Sequence, residues 1–283
     1  MSHPESRLSD LFRDKRECVI DLPSWLLPPE RADAYRSAKG LAMVEMAGRD
    51  SVAAAVKAVQ DEGFTELLPT YVYTGTEQGA WSTVLDAVHR LSHRLPGVGI
   101  HPLLVLGSPR FWQALNGRFL SGLIHHLGFF SPCIGCHLYL HSVRLPLAVS
   151  LGRIPIIAGE RESHDGAIKV NQIREALIRY EALAGEFGVR LLFPLRHISE
   201  GRHIRDILGV EWEEGKKQLG CVLSGNYRYP DGSVRLTGEE VNRYLEAFAC
   251  PVSREIIRTY VKGAVPEHLK IAGRMLGTLD KTR

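Results

Sequence analysis

The chain has 283 residues, 45% hydrophobic and 24% charged, with a formal net charge of +3 and a pI near 8.6. That is the make-up of an ordinary globular protein, long enough for one α/β domain and a smaller appendage, with no apolar run of transmembrane length and too little positive charge to establish nucleic-acid binding. Five cysteines behind a polar N-terminus without a signal-like apolar region point to a reducing, cytoplasmic location rather than to a disulfide framework.

In chain order, residues 1–36 read as an N-terminal arm with Pro23, Pro28, Pro29 and an apolar anchor at Trp25-Leu26-Leu27. Leu41–Met46 is an apolar strand, followed by an alanine-rich helix over 51–62 whose apolar residues recur at threes and fours. A strand over Leu67–Tyr73, a helix over 81–95, a strand over Pro102–Gly107, and a helix over 138–151 marked by Pro146 come next. Then follow a strand over Ile154–Gly159, a helix over 171–187 and a strand over Val189–Leu195. This alternation predicts an α/β fold: a parallel five-stranded sheet with helices on both faces over 37–198. Residues 199–283 read as a small helical C-terminal region.

Ligands of such sheets bind beyond the carboxyl ends of the strands. Gly48, Asp50, Thr74, Gly75, Gly159 and Glu160 all fall at those ends. Glu45-Met46-Ala47-Gly48-Arg49-Asp50-Ser51 is the most specific stretch, a turn of small residues joining a buried strand to a helix start. The free N–H groups of a helix N-terminus suit an anion. No Lys precedes Ser51, so the GxxxxGK[ST] loop is excluded. A plain strand–turn–helix connection, with Asp50 or Ser51 as N-cap, accounts for the same residues.

Pro132-Cys133-Ile134-Gly135-Cys136-His137 is the second signal. Covalent haem attachment has this spelling but belongs to exported chains. Zinc on Cys133 and Cys136 with His137 or His141, a redox or structural pair, and an iron–sulfur cluster completed by a distant thiolate all remain open. Cys221, 85 residues beyond Cys136, is the candidate third ligand; three thiolates on a 4Fe–4S cluster leave one iron free for an exogenous ligand. Cys18 and Cys250 read as plain thiols. Glu160-Arg161-Glu162-Ser163-His164-Asp165 forms a polar cluster after a buried strand, Lys169 and Arg196 are candidate phosphate contacts, and His125-His126 reads as structural or as a lid.

Ala47-Gly48-Arg49-Asp50-Ser51 resembles the SGGxDS pyrophosphate loop of the PP-loop ATPases (N-type ATP pyrophosphatases), with Met46 for the usual Ser and Ala47 for the first Gly. Tyr73-Thr74-Gly75-Thr76 is similar to the segment at which these enzymes contact adenosine, Gly159–Asp165 to their fourth-strand segment, and Phe193-Pro194-Leu195-Arg196 to the end of the fifth. The three-cysteine pattern resembles the iron–sulfur-dependent tRNA thiolation enzymes of that group, although their N-terminal zinc-binding CxxC motifs are absent.

The likeness spans about 38–225. It implies a HUP, or adenine nucleotide alpha hydrolase-like, fold and adenylation of a carbonyl oxygen followed by sulfur insertion, with ATP, Mg²⁺ and a 4Fe–4S cluster as cofactors and zinc as the alternative. Asp50 and Cys221 would be catalytic. Ala47, Gly48, Arg49, Asp50, Ser51, Thr74, Gly75, Gly159, Glu160 and Asp165 would bind the nucleotide, and Cys133, Cys136 and Cys221 the metal. The implied partners are a tRNA or small-molecule sulfur acceptor, a sulfur-donor protein and a second copy in a homodimer, with no membrane. An amide-forming ligase, a desulfurase running the sulfur step in reverse, and a non-catalytic nucleotide or metal binder are the alternatives.

Overall fold

A computed structural model describes residue 27 and residues 29–213 and 215–279. Most of the expected arm, with Cys18 and Trp25, lies outside the described residues. The first half contains α1 (Pro29–Ser37), β1 (Leu41–Glu45), α2 (Arg49–Glu62), β2 (Glu66–Tyr73), β3 (Glu77–Gln78), α3 (Ser82–Arg94), β4 (Gly99–Ile100), β5 (Leu104–Gly107), α4 (Pro109–Asn116) and α5 (Leu120–Leu127). The second half contains α6 (Pro132–Ser150), β6 (Ile156–Ile157), α7 (Arg174–Gly185), β7 (Leu191–Leu192), α8 (Gly201–Leu208), β8 (Gly220–Cys221), α9 (Gly238–Tyr244), α10 (Cys250–Val261) and α11 (His268–Leu279).

The main sheet is parallel, with β1 between β2 and β6, and β7 outside β6. It holds six strands where five are expected, because the third is broken in two. β4 pairs with Glu66–Leu67 and β5 with Thr70–Tyr73 of β2, so both occupy one position in the sheet. Pro102 lies between them and has no N–H to give the ladder.

Every residue of β1 is buried. Leu41 and Met43 point into the larger apolar core, and Ala42 and Val44 into the smaller one under α2, α3 and α8. Burial on both faces is why the strand reads as an unbroken apolar run. α10 packs on α6 and α11 on α4, so the C-terminal helices share the larger core. Among the described residues no helix is long and apolar enough to cross a membrane.

From β1 the chain builds outward through β2, β4 and β5, then returns past β1 to lay down β6 and β7. The order reverses between β1 and β6. Two adjacent strands whose connections leave in opposite directions open a crevice at their carboxyl ends.

Candidate functional site

That crevice is a cavity of about 340 Å³. Its floor is the β1–α2 turn. Ser51 Oγ accepts the N–H groups of Ala47 and Gly48, each at 3.0 Å, and donates to Gly48 O at 2.7 Å. One hydroxyl therefore ties the turn to the first turn of α2. Gly48 has an extended backbone, φ −179°, so left-handed geometry is not what requires a glycine there. A Cβ there would meet the Gln218 side chain, 2.2 Å from its Oε1 and 2.8 Å from its Cβ, and would fit only if that side chain shifted.

Gly159, beyond β6, abuts the same helix start; a Cβ there would lie 2.7 Å from the carbonyl carbon of Asp50 and from Ser51 N. Because those neighbours are backbone, Gly159→Ala is expected to displace the turn at a cost of about 1–3 kcal/mol. Thermal unfolding would register that loss, and an unchanged midpoint would refute the contact.

The three expected metal ligands line this cavity together. Ser131 and Pro132 start α6, so Cys133 and Cys136 occupy its first turns. Cys221 is brought opposite by β8, which pairs with β3 through Glu77 and Gln78. Each sulfur accepts an N–H: Cys136 from Trp112 Nε1 at 3.3 Å, Cys133 from Asn226 Nδ2 at 3.3 Å, and Cys221 from the Leu223 backbone at 3.4 Å. Thr76 Oγ1 lies 3.2 Å from Cys221 Sγ.

Burial pushes the Cys133 thiol up to about 11 and the Cys136 thiol up to about 12, and the neighbouring thiols add to both shifts. Such groups stay protonated at neutral pH, which disfavours a nucleophilic or redox pair. A cation bound among them would reverse that balance. Among the described residues no group of three or more His, Cys, Asp or Glu is arranged to hold a metal ion as it stands.

The polar face of α6 continues past the cysteines. His137, His141 and Arg144 follow at helical spacing along an otherwise apolar helix. His137 Nδ1 lies 2.8 Å from Glu160 Oε1. His141 stands between Glu45 Oε2 at 3.1 Å and Glu160 Oε1 at 3.5 Å. Arg144, 1% exposed, reaches Glu45 Oε2 at 3.1 Å and Thr70 Oγ1 at 2.8 Å.

Buried ions are costly unless paired, so this chain stands or falls as a unit. Burial alone would raise both glutamates; Arg144 and His141 overcome it at Glu45, and His137 and His141 at Glu160, holding both carboxyls below their ordinary range. Burial opposes the charged form of His141, yet the facing carboxylates push it up to about 9. Its stabilising contribution is therefore complete below the unfolded value of about 6.5 and lost as pH rises through about 9. The thermal midpoint is expected to fall across that interval and to flatten in His141→Gln; equal slopes would refute the coupling.

Of the expected nucleotide-binding residues, Ala47, Gly48, Asp50, Ser51, Thr74, Gly159 and Glu160 line the cavity. Arg49, Gly75 and Asp165 do not. Arg49 and Asp165 border a separate depression beside α8. Asp165 Oδ1 accepts the Gly201 N–H at 2.8 Å, which makes it a cap of that helix. Gly75 has φ +80° and serves the turn after β2.

Asp50 is already engaged. Its Oδ1 lies 2.8 Å from Arg49 Nε and its Oδ2 2.9 Å from Arg161 Nε. With a guanidinium on each oxygen it braces the loop, an arrangement poorly suited to offering both oxygens to Mg²⁺. Lys169 is at the cavity wall, whereas Arg196 is held by Glu162 and Glu181. Cys250 is a buried thiol of the apolar core, and His125 and His126 lie on α5, outside the cavity lining.

Four contributors were not anticipated. The spacing of Arg144 from His137 and His141 on one helix was a readable signal. Trp112, Asn226 and Glu77 reach the site only through tertiary structure. Glu77 Oε1 accepts the Thr74 N–H at 2.7 Å, while Oε2 is buried with no hydrogen-bond partner among the described residues. An orphan acceptor on a cavity wall calls for a donor from whatever binds there.

No protein-family model matches the chain. It is similar to the uncharacterized protein MJ0009 of Methanocaldococcus jannaschii, at 41% identity over 227 residues, 79% of this chain and 82% of that protein.

Proposed function

The chain belongs to the same family as that archaeal protein, and we propose that it is an ATP-dependent sulfur-transfer enzyme of the PP-loop type, with a HUP-like sheet and a cluster held by Cys133, Cys136 and Cys221. One observation carries this reading. The helix-start turn at Gly48–Ser51 and three thiols, each already receiving an N–H, face one cavity at the point where the strand order reverses. A phosphate-binding turn alone fits any nucleotide binder, and a trio of thiols alone fits any metal site. Their sharing of one small volume supports chemistry that needs both.

In this reading the N-terminus of α2 and the turn held by Ser51 cradle the phosphates. Asp50, fixed by Arg49 and Arg161, positions that turn. The Thr74–Glu77 segment supplies acceptors to the nucleoside, Glu77 Oε2 first among them. Adenylation converts a poorly leaving carbonyl oxygen into a good leaving group, AMP, with release of pyrophosphate. The N–H donors at the helix start, with Lys169 on the cavity wall, would stabilise the negative charge on the α-phosphate oxygens.

With a metal bound, the N–H donors from Trp112, Asn226 and Leu223 would be hydrogen-bond partners of the three ligating sulfurs. A 4Fe–4S cluster on three thiolates would supply an open iron able to bind sulfide or a substrate sulfur. Glu160 and His137, adjoining Cys136, supply a fixed charge and a hydrogen-bonding edge for the sulfur acceptor, a tRNA base or a smaller carbonyl compound.

The test is ATP–pyrophosphate exchange in the presence of candidate acceptors, coupled to transfer of labelled sulfide into the product. Exchange with sulfur incorporation supports the reading. Exchange with incorporation of ammonia instead would favour an adenylating ligase, and binding without exchange would reduce the chain to a nucleotide-binding protein.

A further inference from the structure

The segment that brings Cys221 to the cavity also covers the phosphate turn. Lys217 has φ +53°, a left-handed conformation that side chains other than glycine rarely adopt, and the next residue, Gln218, lies directly on Gly48. Measured from where a Cβ of Gly48 would stand, Gln218 Oε1 is 2.2 Å away, its Cβ 2.8 Å and its Cδ 2.9 Å. The Gln218 side chain therefore covers Gly48, and both residues line the cavity.

Three residues later the same segment presents Cys221. It is held there by the two-residue pairing of Gly220–Cys221 with Glu77–Gln78, by Val222 N donating to Thr76 O at 2.9 Å, and by the Thr76–Cys221 contact at 3.2 Å. Its ends are better anchored. Trp212 is buried and donates to Lys216 O at 2.8 Å, while Asn226 bonds Cys133 Sγ and Ser131 Oγ. The middle of the strap is thus its weakest part: a two-residue ladder whose strand residues at 220 and 221 are exposed.

From this we infer that Gln218 is a positioning residue coupling the two halves of the site: it occupies the phosphate position while the strap is closed, and nucleotide displaces it, moving Cys221 relative to Cys133 and Cys136. The inference rests on the proposed nucleotide reading and deepens it. Phosphate and Gln218 compete for the surface of Gly48, so binding must be accompanied by a shift of the chain between 216 and 222. Cys221 lies on that stretch, whereas Cys133 and Cys136 lie on the long, buried α6. Occupancy of the nucleotide site is thereby signalled to one of the three thiols and not to the other two. Sulfur chemistry would then wait for the activating nucleotide.

The experiment uses the full chain as purified, titrated with the non-hydrolysable analogue AMP-PNP and Mg²⁺ by calorimetry, with amide hydrogen exchange followed over 216–223. If the closed strap leaves about a tenth of molecules competent, Gln218→Ala binds the analogue about tenfold more tightly than wild type. Gln218→Glu, placing a carboxylate at the same point, binds at least tenfold more weakly. Exchange at Val222 rises several-fold on binding in wild type, and is already raised without ligand in Gln218→Ala.

A merely structural glutamine would move both variants in the same direction. Weaker binding by Gln218→Ala, or binding to wild type with unchanged exchange over 216–223, overturns the coupling and leaves the nucleotide reading standing. No binding to wild type or to Gln218→Ala overturns the nucleotide reading, and the coupling with it.

Discussion

Protein prepared without oxygen is expected to be brown and to contain about four iron and four sulfide per chain, and Cys221→Ser is expected to lose most of both. Cys221 is the informative position because its side chain is exposed, on a strap held by a two-residue ladder. Its replacement costs the fold little, so loss of iron reports on ligation rather than on unfolding. Cys136→Ala is the harsher variant: it takes the acceptor away from Trp112 Nε1 within the α4–α6 contact, and a thermal midpoint lowered by a few degrees should accompany loss of colour. Wild-type protein that is colourless and carries stoichiometric zinc would sink the cluster and leave the thiols to a structural metal. Retention of full iron by Cys221→Ser would remove that residue from the ligand set.

The second large effect is at Asp50. Arg161 is 0% exposed, and Asp50 Oδ2 is the carboxylate oxygen facing its Nε. Asp50→Ala removes that partner from a buried cation that keeps the Ile198 and Ser199 carbonyls, at a cost of about 1–3 kcal/mol. For a chain of this size that lowers the thermal midpoint by roughly 5 °C. Asp50→Asn keeps the shape and one acceptor and is expected to fold nearly normally. The phosphate turn would still be loosened, and ATP–pyrophosphate exchange should fall about 100-fold, the scale of a misplacement near 1 Å. If Asp50→Asn exchanges at the wild-type rate, Asp50 is a structural brace alone. If Asp50→Ala is as stable as wild type, the Asp50–Arg161 pair contributes nothing to the fold.

Much of the architecture was legible because it rests on burial. Ala42, Met43 and Val44 are each fully buried between two cores, and only an uninterrupted apolar strand satisfies both. The α2 start was legible for a similar reason, since small residues must stand where Gly159 touches the Asp50–Ser51 peptide. The start of α6 was not. A helix over 138–151 ignores Ser131 and Pro132, which open it at Pro132 and place both CxxC thiols inside it.

Arg49 stands outside the cavity lining. Residue 49 is the first of α2; its side chain pairs with Asp50 and borders the depression shared with Asp165 and the start of α8. Trp112 and Asn226 carried no local signal at all. Their importance comes from sulfur atoms 24 and 93 residues away in the chain, and no periodicity within a window announces such a meeting.

The contact between Thr76 and Cys221 joins residues 145 apart, and that separation sets the order in which the site is made. At 5–20 residues per second, Cys221 emerges from the ribosome on the order of ten seconds after Cys136. During that interval the growing chain carries two of the three cavity cysteines and neither Asn226 nor the segment that covers Gly48. A nascent site of this kind is open to oxidation and to capture by the wrong metal. Shortening the chain ahead of residue 221 would make that vulnerable state permanent. If the cavity holds a metal as proposed, fidelity of loading is then a matter of timing as well as of affinity, because the two-thiol precursor lacks its third ligand until the last part of the chain arrives.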